Sequence, residues 1–276
     1  MAAMFVHLRL HTEFSVVDGT NRIDECVRLA AADGQVALAI TDLGNLFGAV
    51  KFYKEARKRG VKPILGAEVA LDGLSGEGAQ PPRVILLVQD QQGYLNLSAL
   101  LAKAWTDNSG KSQALIHLSW LKEHHAGLIC LSGAQVGPVG QALVQGDEHR
   151  AVELALKLSG LFVHRFYLEV QRAGRADDEV HVSSTAGIAH RLKLPLVATH
   201  PVQFTTADDF EAHEARVCIS EGEILANPRR TKRFTREQYF KPLAAMCELF
   251  ADLPSAIAKD RKSTRLNSSH QIISYA

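Results

Sequence analysis

The chain has 276 residues, a formal net charge of +1 and a hydrophobic share of 46%. This length allows one large domain or two small ones, and the hydrophobic share can build a sizeable core. The even charge balance does not indicate a general nucleic-acid binder, so any DNA contact would need a local basic patch. The four cysteines are far apart and form no C-x-x-C pair. This spacing argues against a disulfide scaffold or a zinc finger and favours reduced thiols in a cytosolic protein.

No apolar run approaches the roughly 20 residues that span a bilayer. The first residues also lack a basic stretch followed by an apolar one, so no secretory signal is predicted. We therefore expect no membrane association.

Strand-like and helix-like segments alternate along the chain. Apolar runs predict strands over residues 4–10, 36–41, 63–71, 84–89, 128–132, 166–171 and 196–199. Helical periodicity predicts one helix capped by Asn21 and ended at Gly34, and further helices over 45–59, 94–105, 150–161, 179–192 and 210–220. Such alternation is typical of parallel βα units in an α/β protein. The number of repeated units favours a barrel over an open sheet.

The helix predicted over 45–59 ends at Gly60 and has a clear apolar face. Its spacing predicts that Phe47, Val50 and Ala56 point toward the core.

The last residues, 261–276, differ in composition from the rest. They are polar and serine-rich and show neither helical nor strand periodicity. We interpret them as a foreign tail, similar to translated adaptor or vector sequence, with a genuine linker as the alternative. The predicted domain therefore covers residues 1–260, and we expect the natural protein to continue beyond it.

Groups able to bind metals follow several predicted strands. Asp42, Glu68, the Ser132–Gly133 pair and His200 all lie at or just after the carboxyl ends of strands. In α/β barrels that face carries the active site. Histidines and carboxylates that converge there suit divalent metals, which activate water and bind the oxygens of a phosphate ester.

Four stretches of the sequence resemble a known family. Residues 5–15, 40–45, 66–68 and 198–204, in this order, resemble the PHP (polymerase and histidinol phosphatase) domain. The stretch 44–53, Gly-Asn-x-x-Gly-x-x-x-Phe-Tyr, resembles the version that opens the alpha subunit of bacterial DNA polymerase III. The resemblance covers roughly residues 4–258 and implies a distorted (β/α)7-type barrel.

The resemblance also assigns the metal-ligand positions. Intact members carry His-x-His, Thr-Asp-His and Gly-x-Glu, then Cys or His after Ser-Gly, Asn-His-Gly, and finally Asn-Asp-x-His. On this pattern His11, Asp42 and Glu68 keep ligand positions and are expected to be vestigial and unoccupied. The other positions carry replacements, which are Arg9, Leu43, Ala134, Ala173, Pro201 and Gln203.

These replacements predict a site without metal. Four of them are Leu, Ala or Pro and offer no side-chain donor atom. Arg9 adds a guanidinium, which does not deprotonate in proteins. At ~4 Å and an effective dielectric of about 20, the repulsion between two unit charges is about 4 kcal/mol, and a divalent ion doubles it. We predict that Arg9 replaces the metal and pairs with Asp42, Glu68 or both. A rescue by His7 and His200 is conceivable, although on a strand His7 would lie ~13 Å from the next motif histidine.

By this resemblance the intact protein would be the DNA-directed DNA polymerase of a bacterial replicase and would lie in the cytoplasm. Magnesium is expected in its polymerase part, which lies outside this chain. In relatives with a degraded site the domain supports the polymerase core and docks the proofreading exonuclease. The implied partners are that exonuclease subunit, other replicase subunits and, through the intact protein, DNA. We expect this segment alone not to be catalytic. The alternatives are an active metal-dependent phosphoesterase or 3′–5′ exonuclease, and a free-standing phosphatase.

The densest basic run of the chain surrounds one aromatic residue, Phe234. Its cations are Arg229, Arg230, Lys232 and Arg233. They could contact a DNA phosphate backbone or an acidic partner, and a solvated loop is at least as good an interpretation.

Overall fold

The computed structural model describes residues 5–74, 80–108 and 114–258 of the chain. The stretch 261–276, interpreted above as a foreign tail, lies outside the described residues. Within the described ranges, no helix combines the length and the apolar character needed to cross a membrane.

Seven strands form one curled sheet in the described residues. They are β1 (Ala37–Ile40), β2 (Lys62–Asp72), β3 (Arg83–Val88), β4 (Leu115–His117), β5 (Leu128–Leu131), β6 (Phe166–Val170) and β7 (Leu196–Ala198). The sheet order is β1-β2-β3-β5-β6-β7, and β4 pairs with β2 beside this path. The predicted α/β class is therefore confirmed.

The sheet is mixed rather than parallel throughout. The pairs β1–β2, β2–β4, β5–β6 and β6–β7 are parallel. β3 runs antiparallel to both β2 and β5, so the prediction of parallel units is wrong for this strand. Only residues 73–82 separate β2 from β3, fewer than the dozen or so that a parallel crossover requires.

The residues before β1 close one side of the curl. The prediction of a strand over 4–10 is wrong, because the described residues 5–10 form no regular strand. Their backbone, and that of the residues that follow, nevertheless makes hydrogen bonds to β1 on one side and to the residues after β7 on the other. The His7 carbonyl accepts from the Ala39 amide at 2.9 Å, and the His11 amide donates to the Val202 carbonyl at 3.0 Å. The N-terminal segment thereby connects β1 with the residues that follow β7.

The described residues form ten α-helices, most of which pack against the strands of the sheet. They are α1 (Ile23–Ala32), α2 (Ala49–Lys58), α3 (Gln91–Thr106), α4 (Leu118–Glu123), α5 (Pro138–Val144), α6 (Glu148–Leu161), α7 (Asp178–Leu192), α8 (Phe210–Glu221), α9 (Leu243–Leu249) and α10 (Pro254–Ala258). The sequence did not predict β4, α4, α5 or α9.

The predicted inward face of α2 is partly wrong. Phe47 and Val50 are 74% and 43% exposed, whereas Ala56 is buried as expected. The helix begins at Ala49, so its buried face consists of Ala49, Phe52 and Ala56 at helical spacing.

Two apolar clusters fill the fold. The larger lies between the sheet and the helices, and the smaller lines the inside of the curl with residues such as Ile64, Ile85 and Tyr167. Because side chains alternate along a strand, Glu68 shares the inner face with Ile64, and Glu169 shares it with Tyr167. Strand alternation therefore brings charged side chains into the inner face of the curled sheet.

Candidate functional site

A buried ionic cluster lies at one end of the curl and centres on Glu68. Arg9 Nη2 lies 2.7 Å from Glu68 Oε2, and His11 Nε2 lies 2.9 Å from the same oxygen. Arg83 Nη1 approaches Glu68 Oε1 at 3.5 Å. Arg9 also reaches Glu169, with Nη1 at 3.6 Å from Oε1. Arg9 thus bridges two carboxylates that come from distant strands.

The cations around Glu68 keep it ionised despite its burial. Burial alone would raise the pKa of this carboxyl, but the charge of Arg9, then that of His11 and that of Arg83, lower it well below its usual range. Glu68 is therefore a carboxylate at neutral pH, and the positive groups that surround it stabilise this ionised form.

Asp42 has a different set of partners. It accepts hydrogen bonds from the Thr12 amide at 2.6 Å, the Thr12 hydroxyl at 2.8 Å and the Ser15 hydroxyl at 2.6 Å. The Glu68 amide donates to the Asp42 carbonyl at 3.1 Å, which holds the two acids on neighbouring backbone. Of the two acids considered for Arg9, the structure pairs it with Glu68, while Asp42 fixes the turn after His11.

The replaced ligand positions surround the same end of the curl. Leu43 forms a backbone bridge beside Glu68, and Ala134 and Ala173 are buried. Pro201 and Gln203 line the cavity that opens above the cluster.

His7 and His200 are fully buried, with ring centroids 6.2 Å apart. His7 Nε2 donates to the Lys241 carbonyl at 2.8 Å, and His200 Nε2 donates to the Glu237 carbonyl at 2.9 Å. Burial lowers the pKa of both imidazoles, to about 4 for His7. Both histidines therefore act as neutral groups that anchor the backbone of residues 237–241.

Glu169 is a member of the site that the sequence did not reveal. It accepts hydrogen bonds from the Gly133 amide at 2.9 Å, from Gln171 Nε2 at 2.9 Å and from the Thr199 hydroxyl. The only sequence signal for Glu169 is that one acid interrupts the apolar run of β6, two residues after Tyr167 and therefore on the same face of the strand. Arg83, Arg175 and Asp18 were also missed, because each lies at a strand end or in a loop without a motif.

A cavity of about 310 Å³ opens above the cluster. The side chains that border it include Arg9, His11, Glu68, Arg83, Arg175 and Gln203. Arginine is thus the commonest charged residue type at the place where metal ligands were expected.

The donor set does not fit a divalent metal cluster. In the part of the chain that the structure describes, no three His, Cys, Asp or Glu residues are grouped so that they could hold a metal ion. The Arg9 guanidinium occupies the carboxylate oxygen that a metal would bind, and it cannot lose its charge to make room.

The basic run of residues 229–233 is partly neutralised. Arg230 pairs with Glu214 and Arg233 pairs with Glu221, whereas Arg229 and Lys232 are exposed. Arg233 also borders the cavity. The DNA or partner contact of this run stays a prediction.

A family model described as the PHP domain matches residues 7–173, which is more than half of the chain. The chain belongs to the PHP domain family. It is 44% identical over 257 residues to the DNA polymerase III subunit alpha of Pseudomonas aeruginosa, covering 93% of this chain and 22% of the relative. It is 40% identical over 256 residues to the same subunit of Escherichia coli K12, covering 92% and 22%. The chain thus spans about a fifth of the length of these curated relatives.

Among solved structures, an amidohydrolase from Chromobacterium violaceum aligns with a TM-score of 0.50 and 15% identity, covering 78% of this chain and 97% of that one. At this identity the similarity concerns the fold alone. It agrees with the barrel-type α/β architecture of the PHP family.

Proposed function

We propose that this chain is the PHP domain of a bacterial DNA polymerase III alpha subunit and that it acts there without metal catalysis. In this proposal it supports the polymerase core and docks the proofreading exonuclease in the bacterial cytoplasm. The polymerase chemistry, with its magnesium, resides in the part of the subunit outside this chain. The identity of 44% over 93% of the chain supports the assignment to this subunit.

The contact of Arg9 with Glu68 is the observation that best supports the proposed absence of metal catalysis. Both side chains are at least 95% buried, and their 2.7 Å separation is that of a charge-assisted hydrogen bond. A divalent ion bound to Glu68 would have to displace this guanidinium. The guanidinium would then remain buried close to the positive charge of the ion. At ~4 Å and an effective dielectric of about 20, that repulsion would be about 8 kcal/mol for a doubly charged ion.

Elemental analysis of the purified chain, combined with calorimetric titration of manganese and zinc, tests this proposal. We expect no stoichiometric metal and no saturable heat. The matched comparison is a triple variant, R9H/L43H/Q203H, that restores histidine at three ligand positions. Two or more tightly bound metals in the unmodified chain would refute the proposal and favour the alternative of an active phosphoesterase or exonuclease.

Docking is tested separately by size-exclusion chromatography with a bacterial proofreading exonuclease subunit. We expect the two proteins to elute together, because the folded chain would present the docking surface without the rest of the polymerase. Separate elution at micromolar concentrations would restrict the proposed role to support of the polymerase core. After a positive result, a panel of surface variants would identify the residues that contact the exonuclease subunit.

A further inference from the structure

We propose that residues 223–234, which follow α8, form a strap that opens and closes as a unit and is held closed by two acids of that helix. Opening would remove part of the border of the cavity above the Glu68 cluster and would free two arginines of the basic run. This inference concerns contacts within the chain and does not depend on the replicase assignment.

The backbone of the strap is not tied to the rest of the fold. The strap contains no helix or strand, and most of its residues are exposed. Among the described residues, the backbone groups of 224–234 make hydrogen bonds only within the strap, such as that of the Asn227 amide to the Ile224 carbonyl at 2.9 Å. Segments with so few buried contacts are the ones that open locally at a low free energy.

The two ends of the strap are fixed. Gly222 ends α8 with a φ of +69°, a left-handed conformation that favours glycine. At the other end, the Thr235 hydroxyl donates to the Ala173 carbonyl, and the Thr235 amide donates to Gln238 Oε1 at 2.9 Å. The segment between these ends can therefore move without any change in α8 or in the sheet.

Two ion pairs attach the strap to α8. Arg230 pairs with Glu214, and Arg233 pairs with Glu221. The second pair is exposed, with side chains 44% and 35% accessible, so salt screens it and it contributes little. The first pair is buried, with side chains 7% and 2% accessible. The strap is therefore held mainly by Glu214.

The buried contact between the strap and α8 leaves polar atoms without partners. His213 Nδ1, Glu214 Oε1 and Arg230 Nε are buried and make no hydrogen bond with the described residues. Each such atom costs free energy in the closed form, and water can satisfy it when the strap leaves. The Phe234 ring, edge-on to His213 with centroids 4.7 Å apart, opposes this cost. The closed form is therefore favoured by a small margin.

The strap borders a cavity on each of its sides. Arg233 and Phe234 border the cavity above the Glu68 cluster, and Leu225 and Arg230 border a second cavity of about 320 Å³ beside α8. Opening would remove part of the wall of both cavities. It would also release Arg230 and Arg233 from the acids that neutralise them in the closed form.

Limited trypsin digestion of the folded 276-residue chain tests the inference, because the strap carries four cleavage sites, Arg229, Arg230, Lys232 and Arg233. Mass spectrometry follows the rate of these cuts, which tracks the open population when closing is faster than cleavage. Raising NaCl from about 0.05 M to about 1 M should raise this rate at least about threefold, because salt screens the exposed pair. The rate is corrected for the effect of salt on trypsin with a short peptide substrate.

Variants of the two acids separate their contributions. E214Q should raise the rate of the strap cuts about tenfold and E221Q about twofold, since the first pair is buried and the second exposed. The matched control is E148Q, which removes the same charge from an exposed pair with Arg191 and should leave the rate unchanged.

Urea titration of each variant guards against misfolding. If E214Q loses its cooperative transition, E221Q and the salt series decide. The inference is overturned if the strap is cut only at urea concentrations that unfold the whole chain, or if it is cut at low salt as fast as in the unfolded chain. It is also overturned if E221Q and high salt raise the rate no more than E148Q does.

Discussion

Replacing Arg9 by methionine should destabilise the fold strongly. The substitution keeps an unbranched apolar stem of similar volume to that of arginine and removes the charge that lies 2.7 Å from Glu68 and 3.6 Å from Glu169. Removing one partner of a buried ion pair leaves an uncompensated charge and typically costs about 3–5 kcal/mol. Glu68 keeps His11 and Arg83, so we expect about 3 kcal/mol, measured as the loss in unfolding free energy by urea denaturation at pH 7.

The exposed pair of Arg59 with Glu55 provides the control. Its N–O distance of 2.6 Å matches that of the Arg9 pair, but its side chains are 36% and 19% exposed rather than 5% and 1%. R59M should therefore cost only about 0.3–0.5 kcal/mol. The double variant R9M/E68Q should recover part of the loss, since it removes the stranded charge. A loss below about 1 kcal/mol for R9M, or no recovery in the double variant, would refute the view that Arg9 is the counter-ion of Glu68.

Two further predictions concern protonation and backbone space. Burial lowers the pKa of His7 and of His181 to about 4, so both are neutral in the folded chain and take up protons below about pH 6.5 only when it unfolds. Lowering the pH from 7 to 5 should therefore remove about 2 kcal/mol of unfolding free energy per histidine, measured by urea titration at each pH. A Cβ at Gly133 (φ +83°) would lie 1.8 Å from the Arg83 carbonyl, whereas Gly146 (φ +77°) has nothing within 4 Å. G133A should cost more than about 3 kcal/mol and G146A about 1–2 kcal/mol, by the same assay.

The sequence predicted the regular elements where periodicity was unbroken. The strand over 166–171 and the helix over 179–192 agree within a residue with β6 and α7. It could not predict β4, which has three residues, because so short a run carries no measurable period. The direction of β3 was missed for a different reason: the hydrophobic run of a buried strand is the same in either direction, and only the short connection from β2 decides it.

The site was predictable only where a motif carried it. Two retained acids beside one new cation predicted that Arg9 pairs with Asp42, Glu68 or both, and the choice of Glu68 came from the structure. Glu169 and Arg175 could not be found in the same way, since they join the site through the curl of the sheet and not through spacing along the chain. Arg83 lies on β3, whose register against β2 places it beside Glu68, and that register depends on tertiary pairing.

A tethered guanidinium and a bound metal solve the same electrostatic problem with different consequences. Glu68 and Glu169 are both buried, and each needs nearby positive charge or hydrogen-bond donors. Arg9 supplies that charge at every metal concentration, so the fold would no longer depend on metal supply. A guanidinium has no open coordination position and does not lower the pKa of a bound water as a metal does. Under the proposed function, replacing metal by arginine would keep the stabilising charge of the site and remove its hydrolytic chemistry.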